Sequence, residues 1–345
     1  MIKTNTNKVL FLKENYADGE GTFLYSNRSR YEGHWKGGQR DGLGVHKLRD
    51  GSKYIGKQKE GMRHGKGIEI LPNGEKYSGN WKYGERNGKG IYIWPSGIKY
   101  IGEFKNDEEN GSGTLIWPDG DKYIGEFNEG NIHGKGLIIF STGEKYEGRF
   151  KDYKFHGHGT FSSPDGEKYE GGWKDNKYFG RGILIFPDGE KYEGEFRDDE
   201  FHGQGKLTYN DGEKLEGEWK DGEFTGHGTY NSPDGEKYEG GWKDSEFHGK
   251  GIHTLPDGSR YEGRFKGGNR DGKGIITTPD GCKFVGKFKN DKANGHGKIT
   301  FKNADVLEGE WKNGERDSQA TYTWPSGEKY VGEYVNDSID GQGTY

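Results

Sequence analysis

Alanine is nearly missing from this sequence: four occur in 345 residues, at positions 17, 293, 304 and 320. Glycine fills 65 positions instead. Since Gly costs about 1 kcal/mol per helical site relative to Ala, this composition excludes a helical protein. A single cysteine, Cys282, excludes an internal disulfide and fits a reducing, cytoplasmic setting. No apolar run approaches the ~20 residues that a transmembrane helix needs. The run Val9–Leu12 is too short for a signal peptide. Neither a myristoylation start nor a prenylation tail is present. Apolar residues make up 28 % of the chain, too few for one large globular core. The net charge of −5 gives no overall attraction to nucleic acid, so no nucleic-acid partner is expected.

Disorder is excluded by what is abundant. Disordered chains are poor in aromatics, and this one has 18 Phe, 22 Tyr and 9 Trp. These residues are periodic. Fourteen starts fall at residues 31, 54, 77, 100, 123, 146, 169, 192, 215, 238, 261, 284, 307 and 330, each 23 residues from the last. With the start as position 0, Tyr holds it everywhere except Leu215, Phe284 and Leu307. Position 2 is always Gly, and position 4 is aromatic except at Gln58. Positions 11 and 13 are Gly except at Ser318 and Ala320. All nine prolines fall at position 18. Residues 8–30 form a degenerate first unit after a tail over 1–7. Thirteen complete repeats cover 31–329, and 330–345 is an incomplete last one.

Within a repeat such as 169–191, Tyr169, Gly171 and Trp173 alternate with Lys168, Glu170 and Lys174, the period of a half-buried strand. A polar turn, a second strand over 180–186 and a Pro-Asp-Gly turn follow. Each repeat therefore reads as a β-hairpin, and the chain as a meander stabilised by stacking of neighbours. The predicted fold is all-β: an elongated, single-layer, twisted meander of about 14 to 15 hairpins, roughly 140 Å long at ~4.8 Å per strand. Its aromatic face includes Tyr31, Trp35, Tyr77, Trp81, Tyr169, Trp173, Tyr238 and Trp242. Glycines such as Gly33, Gly171, Gly180 and Gly182 are expected to clear side chains from beneath those rings.

The pattern Y-x-G-x-[W/F]-K-x-G-x-x-H-G-x-G, with P-D-G before the next unit, resembles the MORN (membrane occupation and recognition nexus) repeat. Residues 123–136 match it almost position for position. The resemblance implies a non-catalytic array serving as a scaffold in cytoskeletal, axonemal (ciliary) or membrane-junction assemblies. It implies protein partners, with homodimerisation and weak phosphoinositide contact as further expectations. An anionic-lipid-binding targeting array is the alternative, and the regulatory region of a larger enzyme such as a lipid kinase is another.

No catalytic residue, metal site or cofactor is expected. The Gly-rich stretches 61–67 and 268–274 lack the P-loop spacing. His64, His133, His156, His202 and His248 share position 10, but neighbouring repeats lie roughly 10 Å apart, too far to share a zinc ion held by ~2 Å bonds. Asn and Asp occupy the same column elsewhere, so hydrogen bonding in the turn is the expected role. Glu at positions 1 and 21, beside Lys, reads as cross-strand charge pairs on a solvated face. Position 9 carries five consecutive aromatics, Phe155, Tyr178, Phe201, Phe224 and Phe247. Two readings stay open: each ring packs on its own hairpin, or the five form a partner-binding stripe roughly 40 Å long. The segment Ser163–Asp175 recurs identically at Ser232–Asp244, three repeats on. An open strand edge is expected near Gly341–Tyr345.

Overall fold

The 23-residue period becomes two strands and two turns, repeated. The computed structural model describes residues 2–3, 9–11, 18–335 and 338–344. Residues 1 and 4–7 of the expected tail, and 8 and 12–17 of the degenerate unit over 8–30, lie outside the described residues. So do residues 336, 337 and 345, the last of them ending the expected open edge. The described residues are all-β, without a helix. They divide into two compact units. The first holds the chain up to Pro164 together with Trp173–Asn176, and the second holds Asp165–Gly172 and the chain from Lys177 onward.

The hairpin that starts at Tyr100 illustrates both units. Strand Lys99–Lys105 pairs antiparallel with Glu108–Ile116. Between them Asn106 and Asp107 have φ of 51° and 69°. Two positive φ values make a type I′ turn, whose twist matches that of the flanking strands. Tyr100 lies opposite Leu115 and Gly102 opposite Gly113, but Phe104 lies opposite Glu109. Three residues of the second strand therefore face one residue of the first, a bulge that recurs at the same place in the other described hairpins. The longer connection, Trp117 to Asp121, closes with Asp121 C=O accepting from Trp117 N–H at 3.0 Å. Gly120 turns the corner at φ 103°.

The bulge separates the roles of the glycines. Position 11 sits in it with φ between 61° and 106° from Gly42 to Gly295, the region where L side chains are strained. A Cβ on Gly180 would meet nothing within 4 Å, so this glycine serves backbone conformation and not the clearing of space for a ring. Positions 2 and 13 do the clearing. A Cβ on Gly136 would come 2.4 Å from the Tyr123 ring, and one on Gly171 would come 2.5 Å from Tyr169 Oη.

Tyrosine fills the cleared space. Tyr31, Tyr100, Tyr123, Tyr146, Tyr169 and Tyr192 are fully buried, lying over bare backbone. Each phenol donates to the carbonyl three residues on, for instance Tyr77 Oη to Asn80 O at 2.8 Å. Burial pushes the Tyr77 phenol up to about 12. The ring at position 4 stands edge-on to its own tyrosine and to that of the preceding repeat. Phe104 is 5.1 Å from both Tyr100 and Tyr77. Such pairs contribute about 0.5–1.5 kcal/mol each beyond area burial. Tyrosine and position-4 ring thus alternate along each unit as a core one side chain thick.

Candidate interaction surfaces

Position 9 lies directly above the buried tyrosine. Where it is Arg, the guanidinium covers the ring: Arg63 is 5.4 Å from the Tyr54 centroid and Arg270 is 5.7 Å from that of Tyr261. Where it is aromatic, the ring stacks flat. In the first unit Phe155 lies 3.8 Å from Tyr146 at 12°. In the second unit Tyr178 stacks on Tyr169, Phe201 on Tyr192 and Phe247 on Tyr238, at 3.7–3.8 Å. Phe224 differs. Its start residue is Leu215, and the Phe224 ring drops into the missing tyrosine's place over Gly217 and Gly228, with no exposed surface. Each of the five rings packs on its own hairpin. Phe224 presents nothing to a partner, while the other four are half-buried lids.

The carboxylates at position 21 are corrected by the geometry. Glu75, Glu167 and Glu236 do not pair with lysine across strands on a solvated face; they take partners from the tyrosine side. Tyr92 Oη donates to Glu75 at 2.5 Å, Tyr178 Oη to Glu167 at 3.1 Å, and Glu236 lies 2.6 Å from His253 Nε2. The histidine column departs from expectation as well. Nδ1 of His64, His156 and His202 is buried without a hydrogen bond, so these rings do not join the turn through that atom. Among the described residues no three His, Cys, Asp or Glu side chains gather as a metal site. Cys282 is a free thiol.

The opposite face carries positions −1, 1, 14 and 16. Its ion pairs run mostly along a strand, from position −1 to position 1: Arg30–Glu32 at 3.0 Å, Lys191–Glu193 at 2.9 Å and Arg260–Glu262 at 3.0 Å. Lys206–Glu216, at 3.7 Å, bridges neighbouring strands. Four consecutive repeats of the first unit break this pattern, because position 1 is Ile55, Ser78, Ile101 and Ile124. There the cross-strand partners are apolar too: Ile55 faces Ile68, Ile91 faces Ile101, and Ile124 faces Leu137. A groove of about 860 Å³ opens over Ile55, Ile68, Ile91 and Ile101. Reading position 1 as a glutamate column missed this run, although the interruption at residues 55–124 is plain in the sequence.

Fourteen consecutive segments, from 31–53 through 330–345, match the MORN repeat family. The chain belongs to the MORN repeat family. The matched segments follow the repeats whose tyrosines and glycines form the ladder, with two of them beginning one residue late, at 216 and 308. Those are the repeats whose start is Leu215 and Leu307, where the MORN tyrosine is replaced. No curated protein matches the chain in sequence. Among solved structures, the TCP domain of Drosophila melanogaster SAS-4 (dCPAP), in complex with a proline-rich motif of Ana2, is 12 % identical. It covers 50 % of this chain and 88 % of its own, with a TM-score of 0.30. The TCP10 domain of Danio rerio CPAP, in complex with a peptide of STIL, is also 12 % identical, covering 80 % and 97 % with a TM-score of 0.17. Virginiamycin B lyase from Staphylococcus aureus is 12 % identical, covering 72 % and 84 % with a TM-score of 0.14. No helix among the described residues is long and apolar enough to cross a membrane.

Proposed function

We propose that this MORN array is a non-enzymatic scaffold that presents its repeat surface to protein partners in a cytoskeletal or axonemal assembly. The observation that carries the reading is the unbroken run of fourteen repeats in one 23-residue register. Side-chain chemistry is spent on keeping each hairpin in contact with the next, and the outward positions vary from repeat to repeat. Such a surface suits several contacts in series, as in other repeat arrays. The test is detergent extraction of cells expressing the tagged chain, imaged before and after. Retention on a filamentous or ring-like residue supports the scaffold. Complete release from a membrane pattern favours an anionic-lipid-binding array, and immediate release of a diffuse signal overturns both.

A further inference from the structure

We propose that the face opposite the tyrosine ladder, over residues 53–139, docks an extended segment of a partner protein that carries carboxylates along one edge and apolar side chains along the next. This rests on the scaffold reading and names the surface and the partner chemistry. In four of the repeats where position 1 is Glu, the cation two residues earlier is paired with it: Arg30–Glu32, Lys168–Glu170 at 3.9 Å, Lys191–Glu193 and Arg260–Glu262. Across the four repeats from Tyr54, that Glu is gone while the Lys stays. Lys53, Lys76, Lys99 and Lys122 form no ion pair. They alternate across strands with Ile70, Ile93, Ile116 and Ile139.

Beside this row runs the apolar one. Ile101 and Ile124 in it are 38 % and 40 % exposed, and Ile70, within the lysine row, is 38 % exposed. Exposed isoleucines next to unpaired lysines leave an apolar floor with one cationic rim. On the other rim Lys66 faces Asn80 and Lys89 faces Glu103, so that side is closer to neutral. Charge complementarity therefore calls for carboxylates on one edge of the occupant only. Spacing sets its conformation. Successive lysines of the row are two strands apart, ~9.6 Å. A polyproline II chain advances ~9.3 Å in three residues and returns the same edge to the surface. One carboxylate every third residue then meets one lysine per repeat, and the neighbouring edge meets the isoleucines. A protein segment is favoured over a lipid surface because the apolar row is the floor of a groove, with glycine backbone at 67, 79, 90 and 102 along it. A bilayer meets the rims first, whereas a narrow chain reaches the floor.

The test uses the full chain and two labelled 12-residue peptides, four copies of Glu-Leu-Pro and four of Leu-Glu-Pro, read by fluorescence anisotropy. The expected result is salt-sensitive binding of one peptide, weakened roughly tenfold by Lys76→Glu with Lys99→Glu. Ile101→Asp should weaken it as well, with circular dichroism unchanged in both variants. The control Lys191→Glu, at the matching position of a repeat that already carries its Glu, leaves binding intact. Absence of binding by either peptide overturns the proposal. So does equal loss in the control, which means general charge attraction. Binding to phosphatidylserine vesicles that depends on Lys76 and Lys99, without peptide binding, overturns it in favour of a lipid surface. The peptide measurement alone decides the docking face, and detergent retention alone decides the scaffold reading, so the two fail separately.

Discussion

Gln58 occupies an aromatic position of the ladder. It is 2 % exposed, and its side-chain Nε2 has no hydrogen-bond partner. Tyr31 therefore keeps only its own Trp35, at 5.1 Å, as an edge-on neighbour from the position-4 column. Replacing Gln58 with Phe restores a ring and removes a buried unpaired donor, which costs about 1–3 kcal/mol. We expect Gln58→Phe to raise stability by about that amount in chemical denaturation. Ser318 offers a second gain. It holds position 11 at φ 111°, where the other described repeats have Gly. Ser318→Gly should relieve about 1 kcal/mol of backbone strain, seen as a higher melting temperature. His46 links stability to pH. Burial, then Arg40 and Arg63, lower it to about 4, and Arg40 Nη1 donates to its Nδ1 at 2.7 Å. The folded state thus favours neutral His46. Its contribution is complete above the ordinary imidazole value of 6.5 and is lost as pH falls from there toward 4. The melting temperature should drop across that window, and less so in His46→Phe; equal drops in both proteins would remove His46 as the cause.

At the scale of one hairpin, tyrosine at position 0 and glycine at position 13 are a single choice. The repeat that starts at Leu307 has Ala320 where others have Gly, and both are buried, 2 % and 3 % exposed. Leucine stops short of the space a phenol fills, so a methyl fits. Gly136→Ala should therefore cost about 1–3 kcal/mol by forcing its Cβ into Tyr123. Tyr123→Leu should recover part of that loss in the double variant. A double-mutant cycle with no coupling would refute the interlock. Phe224 shows the same logic from the other side, since it replaces the ring that Leu215 lacks. Phe224→Asp is expected to unfold its hairpin, so it reports on packing and not on docking. Much of this was legible beforehand. Alternation around Tyr169 marked the strand, and Pro-Asp-Gly marked the turn. What stayed hidden were the bond from Tyr92 to Glu75 of the preceding repeat, the edge-on contact of Phe104 with the preceding repeat's Tyr77, and the backbone role of Gly180. Period and composition place such residues in columns but do not say which columns touch once the bulge shifts the register.

For the molecule as a whole, the tyrosines set an alkaline limit. Burial raises Tyr31, Tyr54, Tyr77, Tyr238 and Tyr261 to about 12 and lifts those from Tyr100 to Tyr192 further. A phenol raised by folding stabilises the fold fully below its ordinary value of 10, and that contribution is lost as pH climbs through the raised value. Tyrosinate absorbance and loss of circular dichroism should therefore rise together, steeply and above pH 10. Separate transitions, with tyrosinate first, would mean that the rings ionise in place. The ladder has one more consequence. Each hairpin meets its neighbours through the same few contacts, so the sequence can grow or shrink by whole multiples of 23 residues and every surviving tyrosine still finds its two glycines. A gain or loss of any other size strands a ring. Length in such a protein is inherited in fixed steps, and the identical stretch at Ser163–Asp175 and Ser232–Asp244, three repeats apart, is what one such step would leave behind.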